Sequence, residues 1–488
     1  MVEKAYETLG KKEDTEKRMK EAETEDYCIK DVTCFDTMDE EMRAKAEAFA
    51  REYAAFLDLS KTEREATAEA VRMAEAAGFV PYSFGKKVKP GEKYYFNNRG
   101  KSVHLFIIGK RPLEDGVRIC AAHIDSPRLD LKPHPLYEES GLGYCKTRYY
   151  GGIKKYQWTT VPLALHGTVV LEDGRAVDIR IGESDEDPIF YISDLLPHLD
   201  REQGAKPLSK AIPAENLNVL MGAVPAPSEA GKADKAANAV KKNLMRLLNE
   251  RYGMTEDDFF SAELSFVPAM KAREIGLDRS LLGAYGHDDR VCAYPVLRSV
   301  LDTVGTPENT IYAILADKEE TGSDGVTGMQ CDLMFDILEN LSLTLGANPA
   351  GVRMHSKCLS ADVNAAYDPI YADVFDPRNS SYLNRGVVVT KYTGGAGKGG
   401  TSDASAEFVA FVRRALAGGG VLWQTGELGK VEAGGGGTVA KYIANRNIDT
   451  IDIGVPVLSM HAPYEVVSKY DVYQMYLAAG AFYRFSEV

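Results

Sequence analysis

Asp317-Lys318-Glu319-Glu320-Thr321-Gly322-Ser323 directly follows Thr310-Ile311-Tyr312-Ala313-Ile314-Leu315-Ala316. The second run is apolar and rich in β-branched residues, so it reads as a buried strand. A core strand that opens into adjacent carboxylates is costly unless a metal or a cation satisfies them. Gly322 and Ser323 suit a tight turn out of the strand. Paired carboxylates also offer two functions at one place: one can hold a metal, and the other can take a proton from a water which that metal activates. A solvated acidic turn fits these seven residues equally well, so the rest of the chain has to decide.

Strands of the same kind recur. Gly116–Ala122 runs into His123-Ile124-Asp125-Ser126-Pro127. There the histidine can ligate a metal and the aspartate, two residues on, can orient it. Lys357–Val363 contains Ser360-Ala361-Asp362, Val387–Lys391 is a further strand, and Thr450–Val457 leads into Ser459-Met460-His461-Ala462-Pro463-Tyr464-Glu465. Gly286-His287-Asp288-Asp289-Arg290 precedes a helix expected over 291–300. Its aspartates can cap that helix or bridge two cations. Further helices are expected over 39–57 (Met42, Ala46, Phe49, Tyr53 and Phe56 share a face), after a Ser60/Glu63 capping box, and over 331–343, 404–416 and 470–485. Tyr94-Tyr95-Phe96 and Ser102–Ile108 flank Asn97-Asn98-Arg99-Gly100 as a hairpin. Strand–helix alternation predicts an α/β fold, a largely parallel sheet sandwiched by helices.

Between residues 137 and 258 the texture becomes β-rich, with strands over 163–171 and 176–181 and a polar segment over 225–242. This predicts an inserted domain, 137–258, between catalytic parts 1–136 and 259–488, with α/β character returning at Ala262–Phe266. A chain of 488 residues is long enough for two or more cores.

The totals exclude several classes. A net charge of −14 argues against nucleic acid and anionic membrane surfaces as partners. No apolar run reaches membrane-spanning length, and Met1–Asp26 lacks the apolar core of a secretory signal. The seven cysteines are scattered, which points to reduced thiols and a cytoplasmic location. Gly394-Gly395-Ala396-Gly397-Lys398-Gly399-Gly400-Thr401 is no phosphate loop, because Gly follows Lys398 where Ser or Thr is needed. It reads as a substrate loop. Gly434–Gly437 leaves bare backbone N–H groups before a helix. Residues 1–36 read as a charged surface helix or arm.

Five strand ends or loop starts thus carry a metal-capable side chain: His123, Asp288, Glu320, Asp362 and His461. Loops at the carboxyl ends of an open α/β sheet gather at one edge. Two histidines and three carboxylates, one of them bridging, suit a pair of zinc-like ions roughly 3.5–4 Å apart. Glu319 is then left as general base.

In ordered combination these motifs, with Tyr150-Gly151-Gly152-Ile153, resemble the bacterial branch of the aspartyl aminopeptidase family of two-metal aminopeptidases. The resemblance covers most of the chain. It implies a metallo-aminopeptidase with two divalent ions, zinc first and cobalt or manganese as alternatives. His123, Asp362, Glu320 and His461 are then terminal ligands, Asp288 the bridging ligand, Asp125 the partner of His123, and Glu319 the base. The resemblance also implies that the insert is a dimerisation domain, that dimers build a tetrahedral dodecamer, and that a histidine of the insert, matched by His198, reaches a neighbouring subunit's site. Two departures count against a preference for acidic N-terminal residues. Ala365 stands where acid-preferring relatives carry histidine, and Ala462-Pro463-Tyr464-Glu465 replaces the serine-then-arginine form. Lys391 is the candidate partner for a substrate carboxylate. The rivals are a related two-metal deacylase or carboxypeptidase and a non-catalytic shell-forming scaffold.

Overall fold

The structure, a computed structural model, describes residues 27–227 and 237–486. The expected arm over 1–36 and the polar segment over 225–242 therefore fall partly outside the described residues. Three sheets organise the rest. The largest has nine strands, in the order Val80–Pro81, Lys93–Asn98, Ser102–Ile107, Ile311–Ala316, Arg118–His123, Lys357–Ala361, Asp449–Gly454, Val387–Thr390, Trp423–Thr425. Its middle is parallel: Arg118–His123 lies between Ile311–Ala316 and Lys357–Ala361, and Lys357–Ala361 pairs with Asp449–Gly454. Antiparallel pairs lie toward either side.

Alternation along these strands explains the helix sandwich. Cys120, Ala122, Ala313 and Leu315 face one core with Phe49, Tyr53, Val291, Phe411 and Met475 of four helices, Glu40–Leu59, His287–Leu301, Ala406–Gly418 and Lys469–Arg484. Ile119, Ala121, Tyr312 and Ile314 face the other, with Ile337, Leu338 and Leu341 of the helix Leu333–Leu345. Each fully buried Val, Leu, Ile, Phe or Met among them contributes about 1.5–3 kcal/mol.

The six-stranded antiparallel sheet takes Arg128–Glu139, Leu142–Tyr150, Leu163–Val170, Ala176–Ile181, Val219–Gly222 and Ala262–Pro268 around its own core. Ala262–Pro268 was expected to resume the α/β part. It instead pairs with Leu163–Val170 and Arg128–Glu139, because its apolar side faces Leu165 and Phe190 rather than the nine-stranded sheet. The third sheet was not expected at all. Its five strands, Arg273–Ile275, Leu281–Ala284, Glu465–Ser468, Pro456–Leu458 and Asn364–Ala365, run two to four residues each.

The second helix, Glu63–Ala76, starts two residues later than expected. Thr62 is extended and forms the capping box with Glu65, while Glu63 turns to Arg128. The last helix, Lys469–Arg484, and the hairpin lie where the sequence places them. No disulfide joins the seven cysteines, and among the described residues no helix is long and apolar enough to cross a membrane.

Candidate active site

Parallel pairing brings the key residues to one edge. His123 is the last residue of its strand and faces Ala316 in register. Glu319 and Glu320 follow Ala316 after the left-handed Lys318, and Asp362 follows Ala361. The five-stranded sheet supplies the rest. Asp288 comes after Leu281–Ala284, at the start of the helix His287–Leu301, in which Asp288 and Asp289 are themselves non-helical. His461 lies between Pro456–Leu458 and Glu465–Ser468.

The five expected ligands converge. Asp288 stands in the middle: its Oδ1 is 3.2 Å from His123 Nε2, and its Oδ2 is 3.1 Å from His461 Nε2. Asp362 Oδ1 is 3.7 Å from His123 Nε2, and Glu320 Oε2 is 3.5 Å from His461 Nε2. Glu319 Oε2 is 3.9 Å from His123 Nε2. Donor atoms of His123, Asp288 and Glu320 lie within 4.8 Å of one another, as do those of His123, Glu319 and Asp362.

The histidines are aimed through their other nitrogens. His123 Nδ1 is 3.1 Å from the Asp125 carbonyl and 3.2 Å from its carboxylate. His461 Nδ1 is 2.7 Å from the Gly152 carbonyl. Both contacts call for the tautomer that leaves Nε2 free to ligate. Asp125, fully buried, also accepts the Glu319 and Glu320 backbone N–H groups and the Tyr150 hydroxyl.

Two buried atoms in the cluster, His123 Nε2 and Glu320 Oε1, have no hydrogen-bond partner. Such atoms are costly without one. With nitrogen and carboxylate donors around a common centre, this chemistry fits zinc. The electrostatics agree. Burial, then the Asp362 and Asp288 charges acting against the nearby His123, pushes Glu319 up to about 8. Burial and Asp288 raise Glu320, and burial raises Asp362. Burial opposes a charged His461, but the Asp288 carboxylate outweighs it and lifts the imidazole to about 10. The cluster holds more negative charge than the chain's own cations neutralise, which is the condition a divalent cation relieves.

A cavity of about 440 Å³ opens on the cluster. Its other lining includes Val363, Thr390, Leu428, Thr438, Lys441 and Met460, with Gly435–Gly437, the backbone where a ligand was expected to approach. Lys391 is exposed and does not line it; the cation that does is Lys441, on the five-residue helix Ala440–Ala444. His198 is exposed on the antiparallel module and does not join the cluster within its own chain. Sequence reasoning missed the roles of the Gly152 carbonyl, Tyr150 and Glu465, although all three lie in motifs it quoted.

Comparisons with known proteins agree with this chemistry. The model of the aminopeptidase I zinc metalloprotease family (M18) matches residues 56–483. The chain is 45% identical over 456 residues to a "Probable M18 family aminopeptidase 1" of Clostridium acetobutylicum, covering 92% of this chain and 97% of that protein. It superposes on the crystal structure of the M18 aminopeptidase of Thermotoga maritima with a TM-score of 0.88 at 43% identity, covering 94% of this chain and all of that one. The mApe1 dodecamer of Saccharomyces cerevisiae shares the fold, with a TM-score of 0.72 at 20% identity over 90% of this chain and 97% of that one.

Proposed function

The chain belongs to the M18 family of zinc metallo-aminopeptidases, and from that premise we propose that it releases the N-terminal residue of peptides at a two-zinc centre. One zinc would be held by His123, Asp288 and Asp362, the other by Asp288, Glu320 and His461. The observation that carries this reading is the placement of Asp288, whose two oxygens face one histidine each at 3.2 and 3.1 Å. A carboxylate so placed serves two ions at once.

Bound zinc supplies Lewis-acid polarisation of the scissile carbonyl and acidifies a water. Glu319 would take that water's proton as the water oxygen adds to the scissile carbonyl, and pass it to the amine that leaves when the C–N bond breaks. Burial beside Asp362 and Asp288 raises Glu319 in the cation-free cluster, and bound cations would draw it back to the carboxylate form that accepts a proton. Asp125 fixes the Glu319 and Glu320 backbones and the His123 ring, so the base and two ligands keep a common frame. Beyond the metal cluster, the cavity lining mixes apolar residues with one lysine, Lys441, and one buried carboxylate, Asp452.

The antiparallel module, placed over 137–258 by the sequence, is the pairing domain in this reading. Ile189, Tyr191, Leu195, Leu196, Leu199 and Leu208 stand exposed along one of its segments. Apolar residues left in water at that density mark an interaction surface. His198 sits among them, which supports its delivery to a neighbouring copy's site in a dodecamer.

Zinc analysis of the purified protein together with an aminoacyl substrate panel tests the proposal. Two zinc ions per chain and cleavage confined to substrates with a free α-amino group are expected. Preferential hydrolysis of N-acylated or C-terminal substrates would hand the site to the deacylase or carboxypeptidase rival.

A further inference from the structure

Two buried carboxylates stand behind the zinc ligands without lining the cavity. Asp125 serves His123, Glu319 and Glu320. The other is Glu465, which is 1% exposed. Its Oε1 accepts the backbone N–H of His461 at 2.7 Å, and its Oε2 accepts that of Asp288 at 3.1 Å. One side chain therefore ties together two loops that are distant in sequence. It does so from the first residue of the strand Glu465–Ser468, where Glu465 faces Ala284 of the strand leading to Asp288.

The backbone it holds needs holding. His461 has φ of +65° and Ser459 has φ of +61°, the left-handed region that non-glycine residues rarely occupy. Such residues persist where surrounding contacts over-determine them. Only a carboxylate suits the task. It offers an acceptor oxygen to each N–H, whereas an amide offers one oxygen and turns a donor toward the other.

We propose that Glu465 is a positioning residue for the zinc shared by Asp288, Glu320 and His461, holding both backbones so that the two side chains meet at one ion. The inference rests on the two-zinc reading. The neighbouring zinc keeps His123 and Asp362, which are anchored by Asp125 and by the nine-stranded sheet, so it feels the loss of Glu465 less.

The test is a zinc titration of metal-stripped, full-length protein against a chromophoric chelator, for wild type, Glu465→Gln and Glu465→Asp. Glu465→Gln removes one acceptor; Glu465→Asp keeps the charge but is too short to span both N–H groups. In both variants one of the two zinc affinities should fall at least tenfold while the other stays within about threefold of wild type. The far-UV circular dichroism of the stripped protein should not change. Wild-type affinities in Glu465→Gln overturn the assignment. So does wild-type behaviour in Glu465→Asp, which would show that charge alone matters, and so does an equal fall of both affinities together with a lower melting midpoint. A wild-type protein that takes up a single zinc per chain overturns the two-zinc reading, and this assignment with it, before any variant is compared.

Discussion

Gly151 and Gly152 press with backbone alone against Glu320 and His461, the proposed zinc ligands. A Cβ at Gly151 would meet Glu320 Oε2 at 2.9 Å, in a residue whose φ is +74°. Gly151→Ala therefore adds backbone strain of about 1 kcal/mol and pushes a ligand aside. Zinc affinity and kcat/KM should both fall tenfold or more while the secondary structure stays intact by circular dichroism. Glu319→Gln behaves differently. It removes the proton acceptor but no proposed ligand, so zinc content should match wild type while kcat drops about 10²–10⁴-fold. Metal analysis alongside steady-state kinetics separates the two variants, and a Glu319→Gln enzyme with normal turnover would remove the base assignment. The five side chains that converge were legible in the sequence because each stands where an apolar strand or a loop meets a charged letter. The Gly152 carbonyl was not legible, since a backbone group has no letter of its own. Lys441 was hidden for a different reason: a five-residue helix is too short to show a face.

Between elements, the N-terminal helices and the antiparallel module are joined by buried charge. His166, with no exposure, lies on Leu163–Val170; its Nδ1 is 2.8 Å from Glu65 Oε1 and its Nε2 is 3.0 Å from Glu183 Oε1. Glu183 also accepts from Lys271 at 2.6 Å. Burial alone would raise Glu183, but the His166 contact and the nearby lysines bring it down to about 2. Burial alone would lower His166, but its two carboxylates raise it. The signs fix the working range. The Glu183 contribution is present above the ordinary glutamate range and is lost as pH falls through about 2. The His166 contribution is complete below the ordinary histidine range and is lost as pH climbs through its raised value. His166→Ala should therefore cost about 3–5 kcal/mol near pH 6, because it strands buried carboxylates. The gap to wild type in urea unfolding should narrow steadily as pH rises; a gap independent of pH would mean that His166 acts by packing alone. Elements of this region were only partly legible. A largely apolar run marks Leu163–Val170 plainly, but the strands of the five-stranded sheet are too short to display a period, and the capping box at Thr62–Glu65 competes with a near copy at Ser60–Glu63.

At the scale of the whole molecule, the sequence predicts that parallel strands carry distant residues to one edge, and the nine-stranded sheet does so for His123, Glu319, Glu320 and Asp362. Asp288 and His461 reach the same edge by another route, through a sheet whose existence depends on pairings between strands far apart in the chain. Local pattern cannot encode such pairings. The exposed apolar segment around His198 is the proposed pairing surface, and it would carry that imidazole toward a neighbouring copy. If copies pair through that segment, charge placed there must break assembly and catalysis together. The double variant Leu196→Glu, Leu199→Glu should shift the protein to smaller species by light scattering and lower kcat/KM at least tenfold with zinc content unchanged. His198→Ala should leave the assembled mass as it is and still reduce kcat. Together the two outcomes separate a histidine that acts across an interface from one that merely helps to build it. An assembled His198→Ala protein with full activity would show that each subunit completes its own site.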